Sequence, residues 1–480
     1  MKLKIKYLPF LILLFVKINF CKGQINPESK RANHWYFGNK AGLDFTSGIP
    51  LVDLNSQMHQ RETGSVMSDT NGNLLFYTNG DTIWNKNHIV MANGTGLLNC
   101  QSASQGGLIL KKPGSTNLYY IFTNDCGENN GVIGVHYSVV DMSLNAGLGA
   151  VTIKNSLLYA PSTEKLTATY HCNGTDFWLV GQIRNSNQFC VYLLSNGGIS
   201  STPLITSIGY NHNDNSFFAL PGAMKFSPNG NKLVVVYSIY PNGVEELYDF
   251  DKNTGLISNL ITLPSDTVEY GASFSPDNSK LYIQAGSAIG VIGRIYQYDL
   301  SSNNAISIIS SRNKVFEKQL SNNLLGLQLN TGKIYGAIYN TDTLLVINNP
   351  NSYSVSCNIV SNAVYLNGRL CQENLPQFIE SYFSPTATSS ICNVGIENNI
   401  IENDFEIFPN PCSSLLNINT SKDYIIDIII YNLYGQHVLT ENNLFNKKNT
   451  VDLSKINSGI YMLQIKQNNN TLIKRLLINH

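Results

Sequence analysis

Seven side chains able to do chemistry stand just ahead of short apolar runs: His59, Arg61, Glu62, Glu164, His212, Glu269 and Tyr270. Gln105, Lys165, Asp214, Asn322, Asn323, Glu373 and Asn374 hold corresponding places before other runs. A histidine with two carboxylates could hold a divalent cation such as Ca2+, or serve as acid and base. The same residues also suit a rim that simply faces water, so no catalytic residue is assigned. The established signatures point nowhere else. There is no HExxH for zinc, no GxSxG nucleophile elbow, no phosphate-cradling P-loop and no EF-hand loop. Ser68-Asp69-Thr-Asn-Gly-Asn has the wrong Asp-to-Gly spacing for a calcium loop and reads as a β-turn.

The runs that would position these residues repeat. Gly222-Ala-Met-Lys-Phe-Ser-Pro-Asn-Gly-Asn-Lys-Leu-Val-Val-Val is echoed by Gly271-Ala-Ser-Phe-Ser-Pro-Asp-Asn-Ser-Lys-Leu-Tyr-Ile. Each is followed by a strand-like run ending in Tyr-Asp, at Tyr248-Asp249 and Tyr298-Asp299. Proline fixes φ for a turn, and Asn-Gly or Asp-Asn supplies the bend. Weaker copies start near Gly64, Gly106, Leu166 and Leu325. A spacing of roughly 40–60 residues is that of four-stranded propeller blades. Two fragments remain: 375–379 as a first strand, and Trp35–Gly38 with Gly42–Phe45 as later strands. Joined, they would complete a seventh blade and remove exposed sheet edges; a six-bladed ring with an irregular end is the alternative. The candidate residues would then ring the mouth of the central channel. Tyr119, Tyr120, Tyr282, Tyr296 and Tyr298 alternate along strands and should pack between blades.

Composition agrees with an all-β chain of several domains. With 480 residues and 43% apolar side chains, a large core can be buried. Thirty-two basic against thirty-two acidic residues leave no basic face for nucleic acid. Polarity resides in Asn, Ser, Thr and 37 Gly, which favour turns over helices. Lys2, Lys4 and Lys6 ahead of an apolar run to Val16, with Cys21-Lys22-Gly23 after it, form a signal peptide over 1–23. No later stretch is long and apolar enough for a transmembrane helix. Eight further cysteines in an oxidising compartment allow disulfides, with Cys172–Cys190 and Cys357–Cys371 as local pairs, or buried free thiols instead. Asp81, Asp266 and Asp342, each before Thr and an aliphatic residue, resemble the acceptor of Bacteroidota O-glycosylation.

Residues 24–385 thus form the repeat unit, 386–400 a small-residue linker, and 401–480 a separate β-sandwich with runs at 415–418, 425–431, 450–453, 461–465 and 472–478. The opening segment, from Asn33-His-Trp-Tyr-Phe-Gly to Asp69-Thr-Asn-Gly-Asn, resembles secreted propeller-like proteins of the Bacteroidota. The Phe-Ser-Pro-Asp copies resemble tryptophan-aspartate-type and lactonase-type repeats. The last 80 residues resemble the type A C-terminal sorting domain of type IX secretion substrates. The motifs are Phe408-Pro409-Asn410-Pro411, Tyr434-Gly435, Gly459-Ile460-Tyr461 and Lys474-Arg475-Leu476. This resemblance implies a sorting signal carried by Pro409, Asn410, Pro411, Gly435, Gly459, Tyr461 and Lys474. It also implies an outer-membrane translocon as partner, and release from the cell or attachment to its surface. Two readings of the exported unit stand side by side. One is a non-catalytic module that binds an extracellular protein or glycan; the other is a propeller-type hydrolase or lyase with a metal-assisted site around His59, Glu62, His212 and Glu269.

Overall fold

The computed structural model describes residues 26–384, apart from 63, 213–220, 266 and 287–291. It also describes Cys392 and residues 405–480, apart from 421–425, 433–435 and 468–469. The signal peptide, the linker apart from Cys392, Asp214, Asp266 and Gly435 lie outside the described residues. The chain divides into two compact units, Met1–Ile391 and Cys392–His480.

Seven antiparallel sheets follow one another along the first unit, among the described residues. Their first strands are His34–Phe37, Ser65–Ser68, Gly107–Lys111, Ser162–Tyr170, Met224–Phe226, Glu269–Phe274 and Leu324–Asn330. The last six of these coincide with the six repeat copies. Each sheet then meanders outward, the fifth through Lys232–Tyr237, Val244–Phe250 and Ile257–Leu263. This is the up-and-down sheet of a β-propeller blade.

The repeated phrase now has a physical account. In the fifth sheet the Ser227 hydroxyl receives the Lys232 amide at 3.0 Å and bonds Asn229 at 2.7 Å, while Gly230 takes φ +75°. In the sixth, Ser275 receives the Lys280 amide at 2.8 Å and bonds Asp277 at 2.7 Å, and Asn278 takes φ +66°. Both turns need a residue that tolerates the left-handed region, which Gly and Asn supply. Lysine and the Tyr-Asp aspartate then meet across the second and third strands, as Lys232–Asp249 at 2.5 Å and Lys280–Asp299 at 3.3 Å. Asp69 makes the simpler turn expected of it, accepting from the amides of Asn71 and Asn73.

Cores lie between successive sheets. Phe76, Ile109 and Tyr119 join the second to the third; Phe189, Val235 and Tyr248 join the fourth to the fifth; Tyr282, Leu329 and Ile334 join the sixth to the seventh. All five tyrosines expected between blades are buried. Trp35 packs with Phe45, Tyr335 and Phe378, tying the start of the unit to the seventh sheet and to the segment after it.

Residues 375–379 depart from the expected strand. They take an inner place but form no ladder with His34–Phe37. Pro376 has no amide to donate, and Gln377 instead gives its amide to Gly64. The chain then turns into the short helix Glu380–Phe383. Neither local disulfide forms, because Cys190, Cys357 and Cys371 are buried free thiols; Cys100 is joined to Cys126 instead.

The second unit is a sandwich of two antiparallel sheets. One comprises Phe405–Phe408, Leu415–Thr420 and Lys448–Asp452; the other comprises His437–Leu444, Ile426–Asn432, Gly459–Gln467 and Asn470–Ile478. Ile426, Ile428 and Ile430 alternate inward with Leu416, Ile418, Val451 and Leu463. His437–Leu444 is absent from the sequence-based expectation because almost all of it is exposed, so it shows no alternation.

Candidate functional site

The starts of the inner strands converge on a ring of hydrogen bonds. Glu164 is buried and accepts from the Ser104 amide at 2.9 Å, the Ser104 hydroxyl at 2.7 Å and the Gly127 amide at 2.7 Å. Glu62 receives the Tyr270 hydroxyl and, at 3.2 Å, the Ser102 hydroxyl. Asn374 donates to the Ser104 carbonyl at 2.9 Å and to Tyr270 at 3.1 Å. Arg61, half exposed, bonds Glu373 at 3.2 Å and lies 3.9 Å from Glu128. Burial, then the neighbouring charges of Glu373 and Glu164, push the Glu62 carboxyl well above the usual carboxylate range, and it is in hydrogen-bond contact with Glu373.

Glu62, Arg61, Glu164 and Tyr270 are therefore brought together, with Glu373 and Asn374 completing the group. His59, His212 and Glu269 are not part of it. His59 is exposed and contributes its carbonyl to Asn79. His212 is buried against Tyr210 and Tyr237. Glu269 is fully buried and receives the Ser265 hydroxyl at 2.6 Å. Among the described residues the His59, Glu62, His212 and Glu269 set offers no three ligand atoms within 4.8 Å of one another, so the metal-assisted arrangement expected around these four does not assemble. Lys165 also leaves the rim: its ammonium is buried over the Tyr237 ring and donates to the Pro221 carbonyl at 3.2 Å. Burial lowers it to about 7.

Below these hydrogen bonds the space between the inner strands is filled. Gln105 clasps Met224 through both its amide atoms, at 2.8 and 2.9 Å. Gln377 reaches the Leu166 carbonyl. Lys225 donates to the Leu327 carbonyl, to Gln328 and, at 3.1 Å, to Glu380. The remaining space is about 30 Å³, room for a water or so.

Beside the ring a larger cavity of about 320 Å³ opens, lined by Ser238, Val268, Tyr270, Asn323, Tyr339 and Glu373. Ser238 and Tyr339 were not foreseen. Each directly follows the second strand of its sheet, Lys232–Tyr237 and Lys333–Ile338. First and second strands are antiparallel, so the end of one lies beside the start of the other. Counting residues after each second strand, as well as before each first, would have found them.

In the second unit the sorting motifs secure the last strand. Asn410 donates to the Arg475 carbonyl at 2.7 Å and accepts the Leu477 amide at 2.9 Å. Next to it, Cys412 gives its amide to Leu477 and accepts that of Asn479. Tyr461 leans over Gly459, where a Cβ would come within 3.3 Å of its ring, and donates to the Asn457 carbonyl at 2.8 Å. Lys474 lies opposite Leu463 in the final hairpin.

Comparison with known proteins fits this division. Residues 406–479 match the family model described as the secretion system C-terminal sorting domain. No curated protein matches the sequence. Among solved structures, a 6-phosphogluconolactonase-like protein of Bacteroides fragilis is 8% identical, with a TM-score of 0.46, over 72% of this chain and 98% of its own. A second such protein, from Bacteroides uniformis, is 11% identical with a TM-score of 0.39, over 82% and 100%. The Dos1 propeller is 10% identical with a TM-score of 0.40, over 69% and 78%. The molecule is a β-propeller protein carrying a type IX sorting domain. It is a type IX secretion substrate, secreted or held at the cell surface, and its second unit engages the secretion machinery. None of its described helices is long and apolar enough to cross a membrane.

Proposed function

We propose that the seven sheets close into a seven-bladed ring that binds an extracellular glycan or protein in the cavity at its mouth and does not transform it. The carrying observation is the filled channel. Glu380 and Gln377 obstruct it below the ring, so the 320 Å³ cavity is a blind cup that nothing can thread. Tyr270 and Tyr339 give it aromatic walls; Asn323, Ser238 and Glu373 give it a few polar groups, the make-up of a recognition site. The test is a glycan array followed by calorimetry on the mature full-length protein. One ligand class should bind wild type and lose affinity at least about tenfold in Tyr339→Ala. Binding unchanged in that variant would place recognition elsewhere.

One observation favours the enzymatic alternative. Glu62 and Glu373 are paired carboxyls in unlike surroundings, one buried with its carboxyl raised above the usual range, the other part-exposed beside Arg61. Such a pair can divide the roles of acid and base. Turnover of a lactone or polysaccharide that disappears in Glu62→Gln would establish it.

A further inference from the structure

At the opposite ends of the inner strands, between the third and fourth sheets, lies a separate cavity of about 190 Å³. Glu28, Arg31, Lys111, Lys112, Ser115 and Thr175 line it. Its charges do not cancel. Arg31 is spent on Glu28, bonded through Nε at 2.5 Å, and Glu28 also receives the Tyr170 hydroxyl at 2.9 Å. That leaves Lys111 and Lys112, whose ammonium groups donate to no acceptor among the described residues and which are only part-exposed. Burial, then the nearby Arg31 charge, lower the Lys111 ammonium and outweigh the attraction of Glu28. Neutral hydrogen-bonding groups sit beside them. The Thr175 hydroxyl has no partner among the described residues, and the Ser115 oxygen accepts two amides while keeping its proton to give.

We propose that this cavity is a second binding site, distinct from the cup, for a sugar ring bearing an anionic substituent such as a uronate carboxylate or a sulfate ester. Two unpaired lysines would face the anion as point charges. Ser115 and Thr175 would meet ring hydroxyls, and the cavity has room for one ring but not for a strand or helix of a partner.

The experiment is calorimetry of the mature full-length protein at low salt with glucuronate, glucose and inorganic sulfate as probes. Low salt matters because exposed charges are screened within about 8 Å at physiological ionic strength. Glucuronate should bind, glucose should not, and sulfate should bind more weakly than glucuronate. The double variant Lys111→Gln/Lys112→Gln breaks no hydrogen bond and should fold normally; it should weaken glucuronate binding by about tenfold or more. Thr175→Trp, which fills the cavity without touching charge, should weaken it too. The proposal is overturned if glucuronate binds no better than glucose or sulfate, or if the lysine variant binds it unchanged. Loss of its binding in Tyr339→Ala would equally overturn it, by moving the ligand to the cup.

Discussion

Glu62 just precedes the first strand of its sheet and Glu164 lies at the start of its own, yet the surroundings of the two carboxyls differ. Glu164 receives three donors, two of them backbone amides, and serves to fasten the third sheet to the fourth. Glu62 receives two hydroxyls and faces two further carboxylates. Its carboxyl titrates higher in the folded chain than the ordinary value of about 4.3. The folded state therefore keeps a proton that the unfolded chain releases. The stability this gives is complete below the unfolded value and is lost as pH rises toward the folded one. Glu62→Gln should remove that decline: urea midpoints at pH 5 and pH 8 should lie closer together than in wild type. The variant should be more stable than wild type at pH 8. Equal pH dependence in the two proteins would contradict the assignment. At this scale one period in the sequence aligns Glu62, Arg61, Glu164 and Tyr270, and the structure brings these four side chains together. His212 and Glu269 share the period but turn elsewhere, because spacing along the chain does not tell which way a side chain points.

The segment after the seventh sheet shows what an element adds. Residues 375–379 have the apolar character of a strand and were expected to behave as one, but Pro376 cannot complete a ladder. The chain instead sends Gln377 and Glu380 in between the inner strands, where Lys225 meets Glu380 with both side chains nearly buried. Lys225→Met should cost about 3 kcal/mol at pH 8, because it strands a buried carboxylate. The loss should be smaller at pH 5, since burial already raises the Glu380 carboxyl and lets it take up a proton. The double variant Lys225→Met/Glu380→Leu should recover most of the stability in urea unfolding. A single variant as stable as wild type at both pH values would show that the pair does not hold the segment. The Ser-Pro-Asn turns were legible because each needs only local chemistry; this segment was not, since its partners, from Gln328 to Gly64, lie far away along the chain.

For the molecule as a whole, the sorting domain and the propeller are separate units. The sorting domain is a complete sandwich with its own core, and Asn410 secures the strand at its end. Deleting residues 406–480 should leave the propeller folded but confined inside the cell, absent from both medium and surface. Fractionation followed by immunoblotting, with protease accessibility of intact cells, reads this directly. A truncated chain that still reached the surface would mean that the first unit carries an export signal of its own.

Periodicity, turn residues and the ordered motifs of the last 80 residues determined by themselves the strand-rich repeats, the all-β class and the export route, because each is a local pattern that survives without partners. Only the tertiary structure decided which carboxylates lie together, that Gln377, Lys225 and Glu380 fill the space between the inner strands, that Cys100 pairs with Cys126 in place of the nearer pairings, and that the Lys111 and Lys112 ammonium groups have no hydrogen-bonded acceptor among the described residues. Those outcomes depend on distances between residues far apart in the chain, and burial acts on them only once the sheets have come together.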